Sequence, residues 1–160
     1  MLNKLKSDFK SLKVEISDII KNADLSGGNR EWSYLTSEEK RIHLKVRQRL
    51  NEYLDEGEEV LIETHTATLG VNSSYFFTDS RILIIKPLDM LKTGSKVLTT
   101  SHYYSNILNV SLLEYKKKYH EIGILVNGSL GATGIKVQSS ISKSIFDLIN
   151  SKLDKNKSGC

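Results

Sequence analysis

The chain has 160 residues, 39% of them hydrophobic, and a formal net charge of +4. That length fits one domain with an appendage. The mild basic excess, spread over both halves without a charged block, gives no reason to expect a nucleic-acid partner. The only cysteine, Cys160, allows no internal disulfide, and it is no prenylation site because that motif continues beyond the cysteine. A reducing, cytoplasmic setting is the expectation, with peripheral membrane association as the alternative. No apolar run suits a signal peptide or a membrane span.

Residues 1–22 predict an amphipathic helix. Leu2, Leu5, Phe9, Leu12, Ile16 and Ile19 recur at alternating spacings of three and four, a heptad seam. With Leu2 at position a, Lys6 and Lys13 fall at e and Asp8 and Glu15 at g, the opposite-sign arrangement that a parallel pair uses between chains. Three readings stay open: packing on the chain's own domain, self-association through those six residues, and a membrane-surface helix. Residues 23–37 read as a linker around Ser26-Gly27-Gly28-Asn29, with Trp32, Tyr34 and Leu35 anchoring it to something apolar. Thr36 and Glu39 make a capping box for a helix over 38–54, whose apolar face carries Ile42, Val46, Leu50 and Tyr53. The basic residues Lys40, Arg41, Lys45, Arg47 and Arg49 scatter around this helix, so a solvated surface is expected.

From Glu59 the period changes. Strands are expected over 60–68, 75–78, 82–86, 97–101, 107–115, 119–126 and 133–138, separated by turn-forming residues. Gly70 to Ser74 reads as a turn and Pro87 to Ser95 as a loop. Tyr75-Phe76-Phe77 and Ile82-Leu83-Ile84-Ile85, joined by Thr78-Asp79-Ser80-Arg81, read as a hairpin of two buried strands. In that turn, Thr78, Asp79 and Ser80 bond local backbone, and the Arg81 fork ties turn carbonyls or a carboxylate. A last amphipathic helix carries Ile141, Ile145, Leu148, Ile149 and Leu153, and it must bury that stripe on the strands. A flexible tail is expected over 154–160.

Three motifs carry a family resemblance. Leu54-Asp55-Glu56-Gly57-Glu58-Glu59-Val60, Phe77-Thr78-Asp79-Ser80-Arg81-Ile82-Leu83 and Tyr104-Ser105-Asn106-Ile107 resemble, in that order, segments of short bacterial and archaeal pleckstrin-homology-like domains of the YokE type. The resemblance covers about residues 54–153. It implies an α+β, mainly β architecture: a seven-stranded β-sandwich or barrel over 55–153 capped by a C-terminal helix, here with an N-terminal helical extension. It also implies a non-enzymatic binding module for a protein, a peptide or a membrane surface. The alternative is a structural protein that pairs through its heptad helix.

The residues themselves predict no catalytic apparatus. His43, His65, His102 and His120 show no ligand spacing, and no cysteine accompanies them. An enzyme would require two histidines and a carboxylate to converge in a cleft. No nucleophile elbow or phosphate-binding loop is present, and Gly128, Gly131 and Gly134 read as turn residues. No cofactor, metal or small-molecule substrate is expected. The resemblance places lipid phosphates beside the loop after the first strand, yet residues 68–74 contain no basic side chain. The remaining ligand or membrane candidates are Lys86, Leu88, Met90, Leu91, Lys92 and Lys96, where apolar residues alternate with lysines, and Lys116-Lys117-Lys118 between two tyrosines. The first group reads equally as a core-packing turn and the second as a solvated hairpin tip. The partner is therefore a protein or a second copy, or else an acidic lipid surface.

Overall fold

A computed structural model describes residues 36–68, 71–87, 96–114 and 119–158. The first element, α1, is Ser37–Gln48. It opens on the expected capping box: the Thr36 hydroxyl accepts the Glu39 N–H at 3.2 Å, and the Glu39 carboxylate accepts the Thr36 N–H at 2.7 Å. The α-helix stops at Gln48, earlier than its apolar spacing predicts. The chain tightens into a 3-10 turn at Leu50–Glu52, which carries Leu50 onto the sheet while redirecting the backbone toward the first strand.

Seven strands follow: β1 (Val60–Thr68), β2 (Val71–Thr78), β3 (Arg81–Pro87), β4 (Val97–Tyr103), β5 (Ile107–Leu113), β6 (Tyr119–Val126) and β7 (Thr133–Gln138). They form two antiparallel sheets, β1-β2-β3-β4 and β5-β6-β7. A 3-10 turn at Tyr104–Asn106 joins them. Strand β2 begins four residues before the expected position. Val71 to Ser74 are not a turn; they pair with Thr68 to His65 of β1, because the antiparallel ladder gives those backbone groups their hydrogen bonds. The final helix, α2 (Ser139–Ser158), starts directly after β7. It continues past Leu153 through residues expected as tail, with Lys155 and Lys157 in its last turn, where cations favour the helix terminus.

Two cores result. The larger lies between the sheets, where Phe77, Ile82, Ile122, Ile124, Ile135 and Val137 meet Ile141, Ile145, Ile149 and Leu153 of α2. The smaller lies on the outer face of the first sheet, where Ile42, Val46 and Leu50 cover Phe76, Leu83 and Ile85. The unbroken apolar runs of β2 and β3 follow from this arrangement. Alternate residues face the inter-sheet core and the helix, so both faces are buried and the usual apolar–polar alternation disappears.

Candidate functional site

Two side-chain networks and one open strand edge stand out. The first network holds the β2–β3 turn. The Arg81 guanidinium, 7% exposed, grips the Glu58 carboxylate, 2% exposed. Arg81 Nε donates to Glu58 Oε1 at 2.9 Å and Nη2 donates to Oε2 at 2.8 Å. Nη2 also donates to the Tyr53 carbonyl at 2.7 Å, and Nη1 to Ser101 Oγ at 3.0 Å. The fork thus ties both a carbonyl and a carboxylate, the role its position predicts. The Thr78 hydroxyl donates to Glu58 at 2.7 Å and accepts the N–H groups of Ser80 and Arg81. Glu59 and Asp79 complete the seam, with Asp79 N–H donating to the Glu59 carbonyl at 3.0 Å. Burial works against the Glu58 carboxylate, but its bonds from Arg81, Thr78 and the Asp55 N–H prevail and hold its pKa down at about 2. Two of the three resemblance motifs meet here: Gly57, in the left-handed region at φ +78°, turns the chain so that Glu58 reaches Arg81.

The second network was not foreseen. It lies on the outer face of the first sheet under α1. The Ser74 hydroxyl sits 2.7 Å from His43 Nδ1 and 3.0 Å from His65 Nδ1. His65 Nε2 donates to Glu63 Oε1 at 2.9 Å, and the other oxygen of Glu63 accepts from Arg47 Nη1. His43, Glu63, His65 and Ser74 are all buried. A hydroxyl has one proton, so Ser74 donates to one imidazole and accepts from the other. In the tautomer that sets Nε2–H on Glu63, His65 offers Nδ1 as acceptor to the Ser74 O–H. His43 then donates from Nδ1, and its Nε2 is a bare acceptor that meets no partner among the described residues. Burial, and secondarily the neighbouring His65, push the His43 pKa from 6.5 down to about 2.

Two histidines and a carboxylate therefore do converge, with a serine between them, but not in a cleft. The Ser74 oxygen has its proton and its lone pair engaged by two imidazoles, and α1 seals it from solvent. The series thereby ties α1 to the sheet. Arg47 is correspondingly no solvated surface cation, because its guanidinium meets a fully buried carboxylate. Glu63 and His65 stand two apart on β1 and share a face, and that spacing was the one signal in the sequence. Ser74 and His43 are brought in only by the β1–β2 register and by helix docking.

Among the described residues, the open edge is β4. Sheet order leaves β4 on the outside of the first sheet. Thr99, Thr100 and Ser101 are exposed, as are Leu98 (51%) and Tyr103 (39%). Of the basic candidates, Lys86 is half-buried on β3 and is the register partner of Leu98, while Lys96 is exposed just before β4. Leu88, Met90, Leu91, Lys92, Lys116, Lys117 and Lys118 lie outside the described residues, as do Leu2, Leu5, Phe9, Leu12, Ile16, Ile19 and the Trp32 segment. Among the described residues, no helix is long and apolar enough to cross a membrane, and no three acidic, histidine or cysteine side chains are grouped to hold a metal.

Comparison with solved structures accords with this geometry. A pleckstrin-homology domain from Shewanella amazonensis SB2B superposes with a TM-score of 0.52 at 17% identity, covering 79% of this chain and 93% of the other. A DUF1696-family protein with a pleckstrin-homology domain from Shewanella loihica PV-4 superposes with a TM-score of 0.50 at 15% identity, covering 68% and 91%. No protein-family model matches the sequence, and no curated protein matches it. With a four-stranded and a three-stranded antiparallel sheet closed by a C-terminal helix, the chain has the pleckstrin-homology fold.

Proposed function

We propose that this chain is a non-catalytic protein-binding module that takes an extended segment of a partner along the edge of β4, as an added strand. The observation that carries the proposal is an edge that, among the described residues, is left unguarded. Exposed edges in natural sheets are usually blunted by a lysine, a proline, a bulge or a covering element, because their unpaired backbone groups attract other strands. Val97-Leu98-Thr99-Thr100-Ser101-His102-Tyr103 contains no lysine, no acidic residue and no proline. It pairs with β3 through all seven residues without a register shift. The other edges are handled differently. β5 carries a register irregularity between Ile107 and Asn109 and lies against α2, and β1 and β7 meet each other.

An incoming strand would hydrogen-bond to the β4 backbone, and its alternate side chains would lie beside Leu98, Thr100 and His102 on one face. Lys86 and Lys96 at one end favour an acidic residue there. A lipid surface is the less favoured occupant, since residues 68–74 lack the basic side chains that headgroups require.

The test pairs a displayed library of random dodecapeptides with anionic phosphatidylserine vesicles, each against the full chain and its Thr100→Lys variant. Peptides enriched on the parent and lost on the variant are expected. Recovery of no peptide, equal binding by the variant, or flotation with vesicles as the sole response would reject strand addition.

A further inference from the structure

The polar seam beneath α1 has a property that an apolar seam would lack. One hydroxyl serves two buried imidazoles, and the outer nitrogen of His43 faces no acceptor among the described residues. A second proton on His43 would place N–H and positive charge at that position with nothing to receive either. The charged and titratable groups gathered around it are His65 and Glu63 from β1 and Arg47 from α1 itself; β2 adds Ser74 and Phe76, and β3 adds the apolar Leu83 and Ile85. The His65 ring lies 4.3 Å from that of His43, and Glu63, the only acid in the series, is already engaged by Arg47 and His65. Among the described residues, no further carboxylate is left to stabilise a charged His43. To this apolar contact α1 adds Ile42 and Val46, and the 3-10 turn adds Leu50 with Tyr53 and Leu54 packed beside it, whereas the main core lies on the other side of the sheet.

We infer that α1 is a proton-released cover: acidification frees it from the first sheet through His43 and lays open the apolar face formed by Phe76, Leu83 and Ile85. The sheets stay folded, because the inter-sheet core and α2 do not depend on that face. The direction follows from linkage. A histidine that is neutral when docked and titrates at its ordinary 6.5 when released stabilises docking fully above that pH. The docking equilibrium constant falls about tenfold for each pH unit below it.

Hydrogen exchange of the full chain, corrected for intrinsic rates, tests the inference at about pH 7.5 and about pH 5. Amides of Ile42 to Leu50 should lose protection about 30-fold, while those of Ile122 to Leu125 keep theirs. His43→Asn places an amide nitrogen near the Nδ1 position and cannot titrate, so its response should be flat. Equal protection of the helix at both pH values would overturn the inference. So would parallel loss in both segments, or a response that persists in the Asn variant. Should that variant fail to dock at either pH, the imidazole NMR signals of the parent decide. A His43 that stays neutral while docked and titrates only with helix release supports the cover, and one that titrates near its ordinary pKa under a protected helix overturns it.

Discussion

Loss of the Glu58 carboxylate should remove a large share of the protein's stability, although the residue stands next to a surface turn. Glu58 receives two bonds from Arg81 and one each from the Thr78 hydroxyl and the Asp55 N–H. Glu58→Gln keeps the shape but sets an amide against a buried guanidinium. Breaking one partner of a buried ion pair costs about 3–5 kcal/mol, because the remaining charge is left uncompensated. A domain of this size has only about 5–15 kcal/mol in total. With a urea slope of about 1.5 kcal/mol per molar, the unfolding midpoint should drop by about 2–3 M. Acid provides a second reading. The folded pKa of about 2 lies below the ordinary 4.5, so the contribution of Glu58 is present above pH 4.5 and is lost as the pH falls toward 2. It amounts to at most about 3 kcal/mol, reduced by whatever solvent screening reaches the pair. Stability of the parent should therefore decline more steeply than that of Glu58→Gln across this window. A loss below about 1 kcal/mol at neutral pH, or identical acid limbs, would refute the clamp.

Further outcomes test the remaining architecture. Gly57→Ala meets no neighbouring atom, yet it should cost about 1 kcal/mol in urea melts because φ +78° suits glycine alone; an unchanged midpoint would count against that strain. Deletion of residues 1–53 strips α1 from Phe76, Leu83 and Ile85 and should yield a protein that binds hydrophobic dye or aggregates at neutral pH, and a clean monomer would show that the outer face needs no cover. Light scattering should find a larger species for the full chain than for one lacking residues 1–25 if the heptad seam pairs, and two monomers would dismiss it.

The strand series was readable because each local signal agreed with the next. Turn residues bracketed β-branched and aromatic runs, Thr36 and Glu39 marked the helix start, and the stripe on the last helix required a sheet to cover. The role of Arg81 was also readable, since a tight polar turn followed by a guanidinium leaves few other uses for the fork. The start of β2 was not, because Val71-Asn72-Ser73-Ser74 has weak strand character by itself and is held there by the β1 ladder. The seam of His43, His65, Ser74, Glu63 and Arg47 was hidden for a related reason. Its members come from three elements, and only the 63–65 spacing is local.

The sequence by itself determined which segments become strands and helices and how the β2–β3 turn is held, since these depend on residues close in the chain or on a single strong ion pair. Only the tertiary structure decided that β2 and β3 are buried on both faces, that their outer cover is bolted by imidazoles and a buried carboxylate, and that β4 is left open among the described residues. Those outcomes depend on register and on which helix docks where, and contacts between residues far apart in the chain leave no periodic trace in it.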